Sequence, residues 1–124
     1  MQTSSKACAG RAEKLSRIAG ACFFLALERR GKGKSEHFLK RAEAFHGLAV
    51  KEEPNSPVHR NNRALVREAK GDFEAAFLDF EAAKKLCNGN AVQRGVVEQN
   101  SLKTMEMIAP ERRKLLAESI QIGI

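Results

Sequence analysis

The chain has no tryptophan and no tyrosine, and β-branched residues are sparse among its 124 positions. Strand-forming side chains are in short supply, which argues against strands and for helix throughout. Cysteine is scarce too: Cys8, Cys22 and Cys87 are an odd set without paired spacing, so a disulfide framework is excluded and reduced thiols in a cytoplasmic protein are expected. His37, His46 and His59 are scattered, none at a ligand spacing with a cysteine, so no metal is expected. No apolar run approaches the ~20 residues that cross a bilayer, and no membrane partner is expected.

What is present fits one soluble domain, with 43% apolar and 30% charged residues. The clearest pattern lies in residues 61–86, NNRALVREAKGDFEAAFLDFEAAKKL, which reads as two antiparallel helices around a tight turn. Phe73, Ala76, Phe77, Phe80, Ala83 and Cys87 recur every three or four residues and form one buried face. Glu74, Asp79, Glu81, Lys84 and Lys85 fall on the outward positions, with Glu81 and Lys85 spaced as a helix pair. Gly71 suits the left-handed end of the first helix and Asp72 the cap of the second.

This stretch resembles the tetratricopeptide repeat, a helix-turn-helix unit of about 34 residues. The matching residues are Ala64, Gly71, Asp72, Phe73, Ala76, Phe80 and Ala83, and the clear repeat runs over residues 57–90. Arg60 and Arg63 depart from the usual bulky apolar positions, and Arg63 is expected to reach the Asp79 carboxylate across the hairpin. Residues 12–54 resemble a degenerate first repeat through Gly20, Phe23, Ala42, Ala49 and Pro54. Residues 91–124 carry no repeat motif and are expected to form a capping hairpin, as helical arrays require. The resemblance implies an all-α fold, a right-handed stack of antiparallel helical hairpins.

Around the central stretch, a helix is expected over residues 4–29 with Leu15, Ile18, Ala19, Cys22, Phe23, Leu25 and Ala26 apolar. Its basic start followed by an apolar run is read as a structural helix and not a targeting segment, because the run ends in Glu28-Arg29-Arg30 without a cleavage site. The loop RRGKGKS contains Gly33-Lys34-Ser35 but has Glu28 where a phosphate-binding loop needs glycine, and it follows a helix. A second helix follows with Phe38, Ala42, Phe45 and Ala49 inward. Beyond Asn88-Gly89-Asn90, a helix over residues 91–108 has Val92, Val96, Val97, Met105 and Ile108 as its apolar set. Pro110 opens a last helix with Leu115, Leu116 and Ile120 inward.

The function expected from the resemblance is protein binding, as an adaptor, co-chaperone or inhibitor, with a peptide or helix in a concave groove lined by the first helix of each hairpin. That groove would present Arg17, Ala21 and Phe24, then Val58, Asn61, Asn62 and Leu65, then Val92, Val96 and Gln99. The chaperone-tail clamp of some family members is matched only at Arg17 and Asn62, since Ala21, Val92 and Val96 replace an asparagine and two cations. Charge adds a direction. Residues 1–50 hold ten Lys and Arg against four acids, whereas the rest is nearly balanced, so an acidic partner is expected. The alternative is nucleic acid on the basic patch of Arg29, Arg30, Lys32 and Lys34. Against it, the seven phenylalanines are all expected on core stripes, leaving none to stack on bases. No catalytic set and no cofactor motif is visible, and an enzyme is not expected. Ile120, Ile122 and Ile124 offer an apolar end through which copies could associate.

Overall fold

The computed structural model describes the backbone of residues 2–122 and the side chains of residues 10–121. Six helices follow one another among the described residues: α1 Gln2–Glu28, α2 Ser35–Glu52, α3 Pro57–Ala69, α4 Phe73–Leu86, α5 Ala91–Glu106 and α6 Pro110–Ile122. The architecture is all-α, with successive helices folded back on one another, as a helical repeat requires. None of these helices is long and apolar enough to cross a membrane.

The first hairpin is built on alanine. Ala12, Ala19 and Ala26 recur every seventh residue on α1 and are fully buried, as are Ala42 and Ala49 of α2. Small side chains on both surfaces let the two backbones approach closely. Val66 of α3 closes this layer against Ala26, Leu39 and Ala42, with Phe23 and Phe38 at its edge. The turn between α1 and α2 passes through left-handed Gly31, Gly33 and Lys34, and the Ser35 hydroxyl donates to the Ala26 carbonyl at 2.9 Å.

Hairpin α3–α4 forms the centre. Gly71 takes φ +84°, and Gly71 N–H and Asp72 N–H donate back to the carbonyls of Glu68 and Arg67. That is the left-handed helix end expected of the glycine. The expected Asp72 cap is not made: its side chain is exposed and accepts no hydrogen bond from α4. Phe80, Ala76 and Ala83 of α4 bury against Ala64, and Val97 of α5 covers them. The Arg63 guanidinium does reach across the hairpin, its Nε and Nη2 donating to Asp79 at 2.8 and 2.7 Å. Arg67 joins the same carboxylate at 3.0 Å and also donates to Glu43 of α2 at 2.7 Å.

Asp79 corrects the expectation of an outward, solvated residue, because it is only 4% exposed. Two arginines from the facing helix compensate the burial, which a carboxylate alone would not tolerate. Glu81 likewise pairs with Lys84 at 2.8 Å and not with Lys85, and accepts from the Ser101 hydroxyl of α5. Helix α5 is fixed by a series of polar contacts: Thr104 donates to Glu68, and Asn100 donates to Asn61. Its start is capped by Asn90, whose side chain accepts from Gln93 N–H at 3.0 Å.

The expected inward faces are broader than the real ones. Ile18 and Leu25 of α1, Val92 and Val96 of α5, and Leu115 of α6 are exposed, because each of these helices has a neighbour on fewer sides than α4. Phe24 is 61% exposed and breaks the expectation that every phenylalanine serves the core. Helix α6 reaches the body through Leu116, which packs with Ile108 on Phe77, while Ile120 lies beside them. The side chains of Ile122 and Ile124, invoked for self-association, lie outside the described residues.

A cleft between the first and third helices

The α1–α3 junction holds a cleft of about 350 Å³ lined by Glu13, Ser16, Arg17, Val58, His59 and Asn62. A second recess of the same volume adjoins it, sharing Glu13, Val58 and His59 and adding Gly10, Glu53 and Ser56. Their shared wall carries an apolar side chain, a carboxylate and an imidazole, with the Arg17 cation lining the first recess. Arg17 and Glu13 pair along α1 at 3.5 Å. Arg11 and Glu52 tie α1 to α2 at 3.2 Å.

Ser16, His59 and Glu53 of this lining belong to a hydrogen-bonded chain drawn from three helices and a link. Ser16 Oγ of α1 lies 3.4 Å from His46 Nδ1 of α2 and 3.1 Å from His59 Nδ1 of α3. His59 Nε2 lies 2.7 Å from Glu53 Oε1 in the α2–α3 link. His46 and His59 are 3% and 5% exposed. Burial, reinforced by the charges of His59 and Arg63, lowers the His46 pKa to about 4. Serine, imidazole and carboxylate in sequence bring to mind a hydrolytic triad. However, Ser16 sits in the middle of a helix, where backbone N–H groups are already bonded within the helix and cannot hold an oxyanion.

Of the residues expected in the groove, the structure brings Arg17 and Asn62 together with Val58 in this cleft. Phe24 is exposed on α1 two helical turns beyond Arg17, about 10 Å along the axis. Asn61 turns toward α5 to accept from Asn100, and Leu65 packs partly into the central core. Val92, Val96 and Gln99 are exposed on α5 and take no part in the cleft. Arg29, Arg30, Lys32 and Lys34 are all exposed, and none of them forms an ion pair among the described residues. Arg29 instead lies over the Phe38 ring at 5.9 Å.

Sequence reasoning passed over Ser16, His46, His59, Glu13 and Glu53. For His46 a signal existed: it lies four residues after Ala42 and three before Ala49, on the buried stripe of α2. A larger recess, about 490 Å³, lies elsewhere, between the α3–α4 turn and the start of α6. In its lining Glu74 and Arg112 pair with each other at 2.6 Å, beside Asp72, Leu78 and Met107. Among the described residues, no group of three or more His, Cys, Asp or Glu is placed to hold a metal ion. Comparison with known protein families, characterised proteins and solved structures gives no match.

Proposed function

We propose that this chain is a short tetratricopeptide-like array that binds another protein, holding an extended peptide or a helix against the open faces of α1, α3 and α5. The observation that carries this reading is the placement of exposed apolar side chains on those three helices. Phe24, Val58, Val92 and Val96 all lie there, and Val58 forms a wall of the α1–α3 cleft. Such side chains beside a cleft with a cation at its rim suit an amphipathic partner of acidic character, toward which the positively charged first half would also steer. The role is that of an adaptor, co-chaperone or inhibitor in the cytoplasm, with no catalysis.

One observation favours nucleic acid as a second reading: the four exposed cations of the α1–α2 loop have no carboxylate partner among the described residues. A phosphate backbone would meet them without sequence preference.

Affinity capture from native lysate, with nuclease added, separates the two. Wild type is compared with Arg17→Glu, Val58→Asp and with a variant neutral at Arg29, Arg30, Lys32 and Lys34, each checked by circular dichroism. The groove reading expects a protein partner that survives nuclease and is lost with the cleft variant. Capture that vanishes with nuclease, or with the loop variant alone, sinks it in favour of the basic patch.

A further inference from the structure

The chain of side chains under the cleft has a direction that proton counting fixes. Glu53 is a carboxylate acceptor, so His59 Nε2 must carry the hydrogen of the 2.7 Å bond. In neutral His59, Nδ1 is then an acceptor, and the Ser16 hydroxyl donates to it. The single Ser16 proton is now used, so Ser16 Oγ accepts from His46, which must be the Nδ1–H tautomer. Four groups thus form one line from His46 through Ser16 and His59 to Glu53. This line joins α1 to both α2 and α3.

A first added proton can be accommodated. On His59 it reverses the Ser16 hydroxyl toward His46, whose ring passes to the Nε2–H tautomer so that its Nδ1 accepts, and it strengthens the bond to Glu53. A second one, on His46, cannot be accommodated in the same way. Both Nδ1 atoms then donate to the Ser16 oxygen, whose own proton must turn away from both rings, and two imidazolium groups share a buried site with a single carboxylate. Around them stand Glu13 and Arg17 of α1, Glu53 after α2 with its neighbour Glu52, and Asn62 and Arg63 of α3. Glu13 is paired with Arg17 and Glu52 with Arg11, while Arg63 adds positive charge and is itself held by Asp79. His46 therefore has no free acid to turn to, and water becomes its best partner.

We propose that the His46–Ser16–His59–Glu53 chain is an acid-sensitive latch that holds α1 against α2 and α3 and keeps the α1–α3 cleft formed. The consequence, release of a bound peptide in acid, rests on the proposed function of the cleft; the latch itself does not. The low His46 pKa agrees in sign, because the latched form resists a proton that an opened form would accept. The opening is local: α3 and α4 keep the Arg63–Asp79 pair and the Phe80 core, to which the His46–Ser16–His59–Glu53 line contributes no hydrogen bond.

The test uses the full chain. Long-range ¹H–¹⁵N spectra at pH 7.5 are expected to show His46 as the Nδ1–H tautomer and a proton on His59 Nε2. Between pH 7.5 and 4.5, amide exchange corrected for intrinsic rates is expected to lose at least tenfold more protection in residues 12–26 than in α3 and α4. His46→Gln keeps a donor toward Ser16 and removes the titration, so its α1 protection should stay level. Should that variant fail to fold, the wild-type tautomers and exchange still decide. An Nε2–H tautomer for His46 at pH 7.5, or α1 protection that moves only in step with α3 and α4, overturns the latch.

As a cleft probe, a random-peptide display library is selected at pH 7.5, and clones lost on Arg17→Glu are kept. Their release at pH 4.5 from wild type but not from His46→Gln supports the latch, and equal retention by both overturns it. A library that yields no such clone counts against the groove, and the α1 exchange then judges the latch alone.

Discussion

Hairpin α3–α4 and the last helix α6 use similar residues to opposite effect. In α3–α4, Ala64, Ala76 and Ala83 bring the backbones close, Phe80 fills the space, and Arg63 and Arg67 share a buried Asp79. In α6, Leu116 and Ile120 reach Phe77 and Phe73, and the ion pair Arg112–Glu74 lies in water. A charge pair fixes register where it is buried, because misplacing it strands an ion. At the surface the same pair is satisfied by solvent in any register.

The contrast can be broken most severely at Asp79. Asp79→Ala leaves two half-buried guanidinium groups without their shared acceptor and is expected to cost about 3 kcal/mol in urea unfolding. The cycle with Arg63→Ala should be non-additive by at least about 1 kcal/mol; additive single effects would show the pair to be ornamental. Next in size is acid. His46 has a folded pKa below its ordinary value, so its stabilising contribution is complete above about pH 6.5 and is lost as pH falls toward 4. The expected loss is about 2–3 kcal/mol, measured as the urea midpoint against pH, and His46→Gln should flatten the curve in that window.

Smaller effects sharpen the comparison from the other side. Leu116→Ala is expected to remove about 2 kcal/mol, expressed as faster hydrogen exchange in α6 while α3–α4 keeps its protection. Equal loss in both regions would mean that α6 belongs to the central cooperative unit. Asn90→Ala should cost only about 1 kcal/mol, through the lost bond to Gln93 N–H, and should appear in the first turn of α5.

The central hairpin was legible because its signals are local. The step of three and four from Phe73 to Cys87 needs only helix geometry, and Gly71 needs only its own φ. Arg63 reaching Asp79 was legible too, since two antiparallel helices around a short turn bring those positions face to face. The outer helices were read less well. Val92, Val96, Leu115 and Phe24 carry the hydrophobicity of core residues but stand where no neighbouring helix covers them. Periodicity marks a face, and only the neighbours decide whether that face is dry. The cleft was half legible. Arg17 and Asn62 came from the resemblance, whereas Ser16, His46 and His59 were missed because their link spans 30 and 43 residues.

The sequence by itself determined that this chain is helical, where its helices turn, and which stripe of α4 is buried, because dihedral preference and side-chain period act within a few residues. Tertiary structure alone decided that Asp79 is buried, that Leu115 is exposed, and that two distant histidines share one serine hydroxyl. Each of those depends on which helices meet, and burial and hydrogen bonding between distant residues are properties of the packed whole.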